Sequence, residues 1–415
     1  VLLIGESAGH SQVSIWRNWF LDGSKTEKDL HSEFNYEQNA LAGPALKIKQ
    51  EWVPALQEFD GFISNVAEES EGVSEVPLPP YNLVLPTSLC SSQIARLACD
   101  RLNNEGLGED CHGRPPCRFA TLPHTEGCGG AGGAQFETIF ERVMVGHLLH
   151  PQVQNGFLLE HGCEKTHNDW FAARLSASGI ALDAYGWASV QLDGGIEAVC
   201  ALIKDFFKGS KRYPRTEGMK TQALCLGLLV AAELTTREAM LLATLVRYIV
   251  VHGGTVLLPS TSLLLRNESF ISACLFEELP STLLTPTLAY AEPPSSPGLH
   301  VVDIAATMSW VEVVSGLAPA VHCFLTWLGG FGERGLMPSH PFVPTLHVDA
   351  DLDRASTDAT NSEADVTLSS PDDMKQSLEI LLGMIRAALR GHKTKADRFG
   401  ATDFSVARGI TGVSL

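Results

Sequence analysis

"NGFLLEHGCEKTHNDW", residues 155–170, sets a short apolar run against a polar turn and then the start of an amphipathic stretch. An apolar run this brief, closed by a glycine-containing turn, reads as a buried strand, and the Thr-His-Asn-Asp that follows reads as a helix start. The stretch is therefore one β-α unit. The same alternation recurs on both sides of it. "YNLVLPT" (81–87) reads as a strand and "SQIARLACDRLN" (92–103) as a helix; "CRFATLP" (117–123) and "AQFETIFERVMVGHLL" (134–149) repeat the pair. A helix from about Thr166 to Ser178 completes the unit quoted above, and "YGWASVQL" (185–192) with "GGIEAVCALIKDFFKG" (194–209) adds the last. Short buried strands alternating with longer helices are the pattern of a parallel sheet with crossover helices.

A second series follows the basic stretch "KGSKRYPR" (208–215), which reads as a solvated linker. "ALCLGLLVA" (223–231) and "GTVLLP" (254–259) read as strands, with a helix at "TREAMLLATLVRYIVVHG" (236–253) that Gly253 stops. Shorter apolar runs stand at "TPTLAYA" (285–291), "GLHVVD" (298–303), "AVHCFLTWLG" (320–329) and "FVPTLHVD" (342–349), and a last helix at "MKQSLEILLGMIRAALR" (374–390). The fold class expected is α/β in two domains, each a mostly parallel sheet flanked by helices in Rossmann-like layers. Residues 1–75 read as an irregular arm, 76–210 as the first domain and 211–415 as the second. The acidic, apolar-poor stretch at about 349–373 reads as a mobile loop, without the glycine-turned ligand spacing of a calcium loop.

Composition narrows the function. The 415 residues are 45% hydrophobic and 19% charged, as in ordinary globular proteins, and no apolar run reaches the roughly 20 residues of a membrane span. A net charge of −18 repels a phosphate backbone, so neither nucleic acid nor membrane is an expected partner. No basic region precedes the first apolar residues, so no signal peptide is read and the expected compartment is the cytoplasm. Ten cysteines spread through apolar and glycine-rich segments of a long chain read as buried thiols and a few ligands rather than a disulfide scaffold.

In open parallel sheets ligands bind beyond the carboxyl ends of the strands, where loops diverge and helix amino termini present free N–H groups. Four polar clusters occupy those positions here. The first strand is followed by Thr87, Ser88 and Cys90; the second by His124, Thr125, Glu126 and Cys128 with the glycine run from Gly129; the third by His161, Cys163, Glu164, Lys165, His167, Asn168 and Asp169; the fourth by Gln191 and Asp193. Cys90, Cys128 and Cys163, one per rim, can hold a soft or borderline metal and leave a position open, or each can be a small buried hydrophobe beside a turn. "GCGGAGG" can cradle phosphate or the carboxylate of a small substrate; its spacing matches neither the dinucleotide fingerprint nor the P-loop, and the carboxylate is the reading adopted. His124, His161 and His167 are candidate acid-base groups or ligands. Glu164 is a candidate reacting carboxylate or the ion-pair neighbour of Lys165, and Asn168 and Asp169 bind substrate or cap the next helix. No G-x-S-x-G elbow supports a serine hydrolase.

"LPHTEGCGGAGG" (122–133), "GHLLHPQVQNGFLLEHGCEKTHND" (146–169) and "GWASVQLDGGIE" (186–197) resemble core motifs of the altronate/galactarate dehydratase family, which also includes the large subunit of sulfolactate sulfo-lyase. "HGCEKTHND" is closest to a less characterised branch, and "HPFVPTLHV" (340–348) and the terminal "ARGITGVSL" (407–415) look familiar as well. The resemblance implies a lyase that removes water from a sugar acid or related hydroxy acid to give a 2-keto acid, with divalent iron or manganese. It carries over to Cys90, His124, Thr125, Cys128, Cys163 and Glu164, with His167, Asn168 and Asp169 from the closer branch. On this reading Cys90, Cys128 and Cys163 hold iron, as a lone Fe2+ or a cluster with an open iron. His124 or Glu164 takes the proton, His167 protonates the leaving hydroxyl, and Thr87, Ser88, Thr125, Gly129, Lys165, Asn168, Asp169 and Gln191 hold substrate. Two departures stand beside the resemblance: residues 1–75 do not resemble the family's small amino-terminal domain, and "ESEGVSEVPLPPYN" (69–82) replaces its basic motif. A separate small subunit is therefore an expected partner, in an oligomer of open size. The alternatives are a non-catalytic or regulatory member and a sulfo-lyase large subunit.

Overall fold

The computed structural model describes residues 80–108, 117–126, 133–209, 224–274, 288–328, 339–350, 364–368, 374–400 and 402–407. The expected arm at 1–75, most of the basic linker and most of the terminal "ARGITGVSL" lie outside them. Two all-parallel sheets, of four and six strands with helices packed on them, make up the α/β architecture.

The first sheet is built from β1 (Tyr81–Pro86), β2 (Arg118–Thr121), β3 (Val153–Glu160) and β4 (Tyr185–Ser189), in the order β2-β1-β3-β4. Its helices are α1 (Leu89–Asn104), α2 (Gly133–Leu148), α3 (Asn168–Ala177) and α4 (Ile196–Gly209). Side chains alternate across a strand, and both faces here are apolar. Val84, Phe157 and Leu159 pack with Ile94, Ala98 and Leu102 of α1 and with Ile203 and Phe207 of α4. Leu83, Leu85 and Leu158 turn the other way, onto Phe140 and Met144 of α2 and Leu175 of α3. The Ile94, Ala98 and Leu102 spacing of four is what lays α1 along the sheet. Arg101 donates to both oxygens of Glu197 at 2.8 and 3.0 Å, joining α1 to α4 at the surface.

The second sheet holds β5 (Cys225–Val230), β6 (Thr255–Pro259), β7 (Gly298–Val302), β8 (Cys323–Trp327), β9 (Thr345–Ala350) and β10 (Val366–Leu368), in the order β10-β9-β8-β5-β6-β7. Around it stand α5 (Thr236–Val251), α6 (Glu268–Cys274), α7 (Trp310–Leu317), α8 (Met374–Leu389) and α9 (Lys395–Phe399). Leu226, Leu228, Leu325, Leu346 and Val348 face α5 and α8. Cys225, Leu229 and Phe324 on the opposite face join the cluster that already holds Leu83, Phe140 and Leu175 of the first half. The two sheets therefore share one apolar core.

Histidines stitch that shared boundary. His147 of α2 and His340, ahead of β9, are buried and stacked, with their Nε2 atoms 3.0 Å apart. His340 Nδ1 accepts from the backbone N–H of Phe342 and Val343, so its proton sits on Nε2 and is donated to His147, whose Nδ1–H goes to the Val143 carbonyl at 2.6 Å. Both rings are thus neutral; burial holds His147 down at about 4. His150 is fixed in the same sense, accepting from Gln152 N–H and donating to the Val321 carbonyl.

The expected strands and long helices are present with shifted ends. The strand expected from Phe342 begins instead at Thr345, because the backbone N–H groups of Phe342 and Val343 are turned onto His340. Of "TPTLAYA" only residues from Leu288 are described, and Leu288 makes a single bridge to Val302. The acidic stretch read as a mobile loop contains two ordered pieces: Asp349 belongs to β9, and β10 lies within it, with Ala364, Val366 and Leu368 buried against the core. The rest of that stretch lies outside the described residues. The short helices α6, α7 and α9 were not expected. Among the described residues no helix is long and apolar enough to cross a membrane.

Candidate functional site at the carboxyl ends of the first sheet

Chain order reverses between β1 and β3: from β1 the chain steps to β2 on one side and then to β3 on the other. In an open parallel sheet that reversal leaves a crevice beyond the strand ends. Glu164 fills it. One carboxylate oxygen accepts from Thr87 Oγ1 at 2.6 Å, Ser88 Oγ at 3.0 Å and His161 N–H at 2.7 Å. The other accepts from the N–H groups of Gly162 and Cys163 at 2.7 and 2.9 Å. Burial alone would raise this carboxyl; the hydrogen bonds from Thr87 and the backbone outweigh it and hold the group at about 2.

The remaining rims close around this centre. Ser88 caps α1 in a reciprocal box with Ser91, which points the first turn of α1 at the crevice. Leu89 N–H donates to the Glu126 carbonyl at 2.6 Å, Thr166 Oγ1 donates to the Thr87 carbonyl, and Gln191 N–H donates to the His161 carbonyl. Loops after all four strands therefore meet. Gly162 makes the tight approach, with φ +116, where a Cβ would lie 3.0 Å from both Gln191 Oε1 and Ser189 Oγ.

His124 is buried, and its environment fixes one tautomer. Nδ1 accepts from Glu126 N–H at 3.2 Å, so Nε2 carries the proton and donates to the Pro86 carbonyl at 3.1 Å. Burial depresses its pKa to about 4. This imidazole is neutral and held at both nitrogens. His167 stands at the N-cap of α3, partly exposed, with no side-chain cap bond. His161 Nδ1 lies 3.4 Å from Cys163 Sγ, and both side chains face outward beside Glu164. The ligand atoms of His161, Cys163 and Glu164 lie within 4.8 Å of one another. Cys90 is exposed on the first turn of α1 and does not join that group, while Cys128 and Gly129 lie outside the described residues.

Of the residues expected to bind substrate, Thr87 and Ser88 are buried and spend their hydroxyls on Glu164. Asn168 donates Nδ2–H to the Ala188 carbonyl and its backbone N–H to Glu160. Thr125, Lys165, Asp169 and Gln191 are exposed on the rim. Two partners escaped the sequence reading: buried Glu160, which anchors the start of α3, and Ser189, whose N–H is held by Asp193. Glu160 could have been suspected as a charged residue ending an apolar run.

Residues 81–210 match the family model described as D-galactarate dehydratase/Altronate hydrolase, second domain. The matched stretch contains the four strands and every rim of the crevice. The comparison with curated proteins gives no match. Among solved structures, E. coli heptosyltransferase WaaC with ADP is similar at 12% identity over 74% of this chain and 99% of that chain, with a TM-score of 0.21. A likeness so slight bears on neither fold nor function.

Proposed function

We propose that the chain is a hydro-lyase that removes water from a sugar acid or related hydroxy acid to give a 2-keto acid, assisted by a divalent metal. The observation that carries this reading is the His161–Cys163 pair, 3.4 Å apart at the β1/β3 reversal, inside the stretch that matches the dehydratase family model. An outward thiol beside an imidazole nitrogen is suitable donor chemistry for iron or another borderline divalent ion. Cys163 and His161 would hold the metal, and Cys90 is the other exposed thiol among the described residues. A metal bound there supplies Lewis acidity toward the carboxylate and hydroxyl oxygens of the substrate.

The chain's own part is to bind, orient and move a proton. His124 is neutral with both nitrogens committed to backbone, and Glu164 accepts five hydrogen bonds, so we assign both to holding the site rather than to proton transfer. His167, without a capping bond, is the group assigned to proton transfer, taking the proton α to the carboxylate and returning one to the departing hydroxyl. Thr125, Lys165 and Gln191 are exposed at the mouth as hydroxyl, ammonium and amide groups suited to a polyhydroxy acid.

The test is anaerobic purification with metal analysis, followed by a panel of sugar acids with detection of 2-keto products. His167→Gln is expected to keep the metal and lose turnover by about 100-fold or more, within the usual range for a general acid-base group. Cys163→Ser is expected to lose the metal; unchanged metal content in that variant would remove the ligand role. A second reading, a binding subunit that acts with a separate small protein, is favoured by apolar side chains exposed at the same rim: Leu89 (45%), Leu192 (81%) and Ile196 (45%). Under that reading turnover appears only when the small protein is added.

A further inference from the structure

Consecutive backbone N–H groups that converge on one point form an anion-binding nest. His161, Gly162 and Cys163 form such a run, and their N–H groups meet the hydroxyls of Thr87 and Ser88 around the carboxylate of the very next residue. A carboxylate offers about four lone-pair sites. Five donors at 2.6–3.0 Å occupy them, leaving Glu164 little capacity to accept a substrate proton or to coordinate an ion. The donors come from two strand ends, so the carboxylate ties the His161–Cys163 turn to the end of β1, beside the separate bond from Thr166 Oγ1 to the Thr87 carbonyl. Glu164 is 4% exposed, and Gly162 reaches its place only through a left-handed backbone.

We propose that the five donors constitute a carboxylate-binding cradle, and that Glu164 is a positioning residue: an internal anion tethered in the cradle, which sets the His161–Cys163 loop in its working conformation. The ligand class is a monocarboxylate, and a free one should fill the cradle once the tethered one is removed. The inference concerns the same crevice as the hydro-lyase reading but does not rest on the reaction.

The test is amide hydrogen exchange, read by mass spectrometry on peptides spanning residues 157–167, in Glu164→Ala and in the unaltered chain. Hydrogen bonds to a charged acceptor contribute about 1.5–3 kcal/mol, so their loss is expected to speed exchange at residues 161–163 by roughly 10- to 100-fold. Sodium formate is expected to restore protection saturably, whereas formamide, of similar shape without the charge, and sodium chloride are not. The unaltered chain is expected to show no response to formate. Wild-type protection in Glu164→Ala, or equal effects of formate and formamide, would overturn the proposal. Should Glu164→Ala fail to fold, Glu164→Gln fills the cradle with one oxygen and a misplaced NH2; it is expected to lose protection without answering to formate, and full protection in that variant would overturn the proposal too. Because no readout is turnover, formate rescue leaves the cradle standing even where the unaltered chain yields no 2-keto product in the sugar-acid panel, the result that would sink the hydro-lyase reading.

Discussion

The residues that looked most reactive in the sequence are the ones the fold has tied down. His124 and Glu164 were chosen for their chemistry, and both turn out to be saturated: one by the Glu126 N–H two residues on and the Pro86 carbonyl at the end of β1, the other partly by a hydroxyl 77 positions upstream. No spacing rule reveals such a bond, because it exists only once strands distant in sequence lie side by side. What was legible was the convergence of rims, which follows from parallel strands alone. Gly162 gives the sharpest single-residue prediction. Gly162→Ala forces a Cβ into a left-handed conformation against Ser189 and Gln191 and is expected to cost about 1–3 kcal/mol, measured by urea denaturation. Glu164 sets an acid limit of its own. Its folded pKa of about 2 lies below the ordinary carboxyl value of 4.5, so its contribution is present above about pH 4.5 and disappears as pH falls toward 2.

Among elements, long ones with strong apolar runs were readable and short ones were not. α5 and α8 are sixteen residues each, the first apolar nearly throughout and buried from Glu238 to Val250, the second with one buried face, whereas α6, α7 and α9 have seven, eight and five. β10 has three residues inside an acidic stretch, and composition averaged over that stretch hides the alternation of Ala364, Val366 and Leu368. Its order is a tertiary effect: Val366 pairs with Val348, and Asp365 accepts from His347 N–H and Lys395 N–H, anchoring it to β9 and α9. Leu368→Ala is therefore expected to destabilise the chain by about 2–5 kcal/mol, as for a core leucine, where a mobile loop would give almost nothing. Chemical denaturation distinguishes the two.

On the scale of the molecule, the shared apolar cluster predicts that both sheets unfold together. A single calorimetric transition, with equal calorimetric and van't Hoff enthalpies, is the expected result. The His147–His340 pair makes that joint body acid-sensitive. His147 titrates near 4 when folded and 6.5 when not, so above pH 6.5 the two states bind protons equally; as pH falls from 6.5 to 4 the unfolded chain takes up the proton first. Stability is expected to fall by about 3 kcal/mol across that window from this residue, at about 1.4 kcal/mol per pH unit. His147→Gln, whose amide oxygen can accept from His340, should flatten the dependence of the urea midpoint on pH.

All-parallel pairing also governs how the chain reaches this state. Parallel neighbours cannot be joined by a hairpin, so each pairing needs a crossover of a dozen or more residues before its ladder can form. β5 and β8 meet across almost a hundred residues, Leu226 lying beside Cys323. Such closures lose chain entropy before contacts return it, which places assembly of the second sheet among slow events. Newly made chains would spend that interval with open ladder edges, and a cell making this protein in quantity would need to shield them from one another.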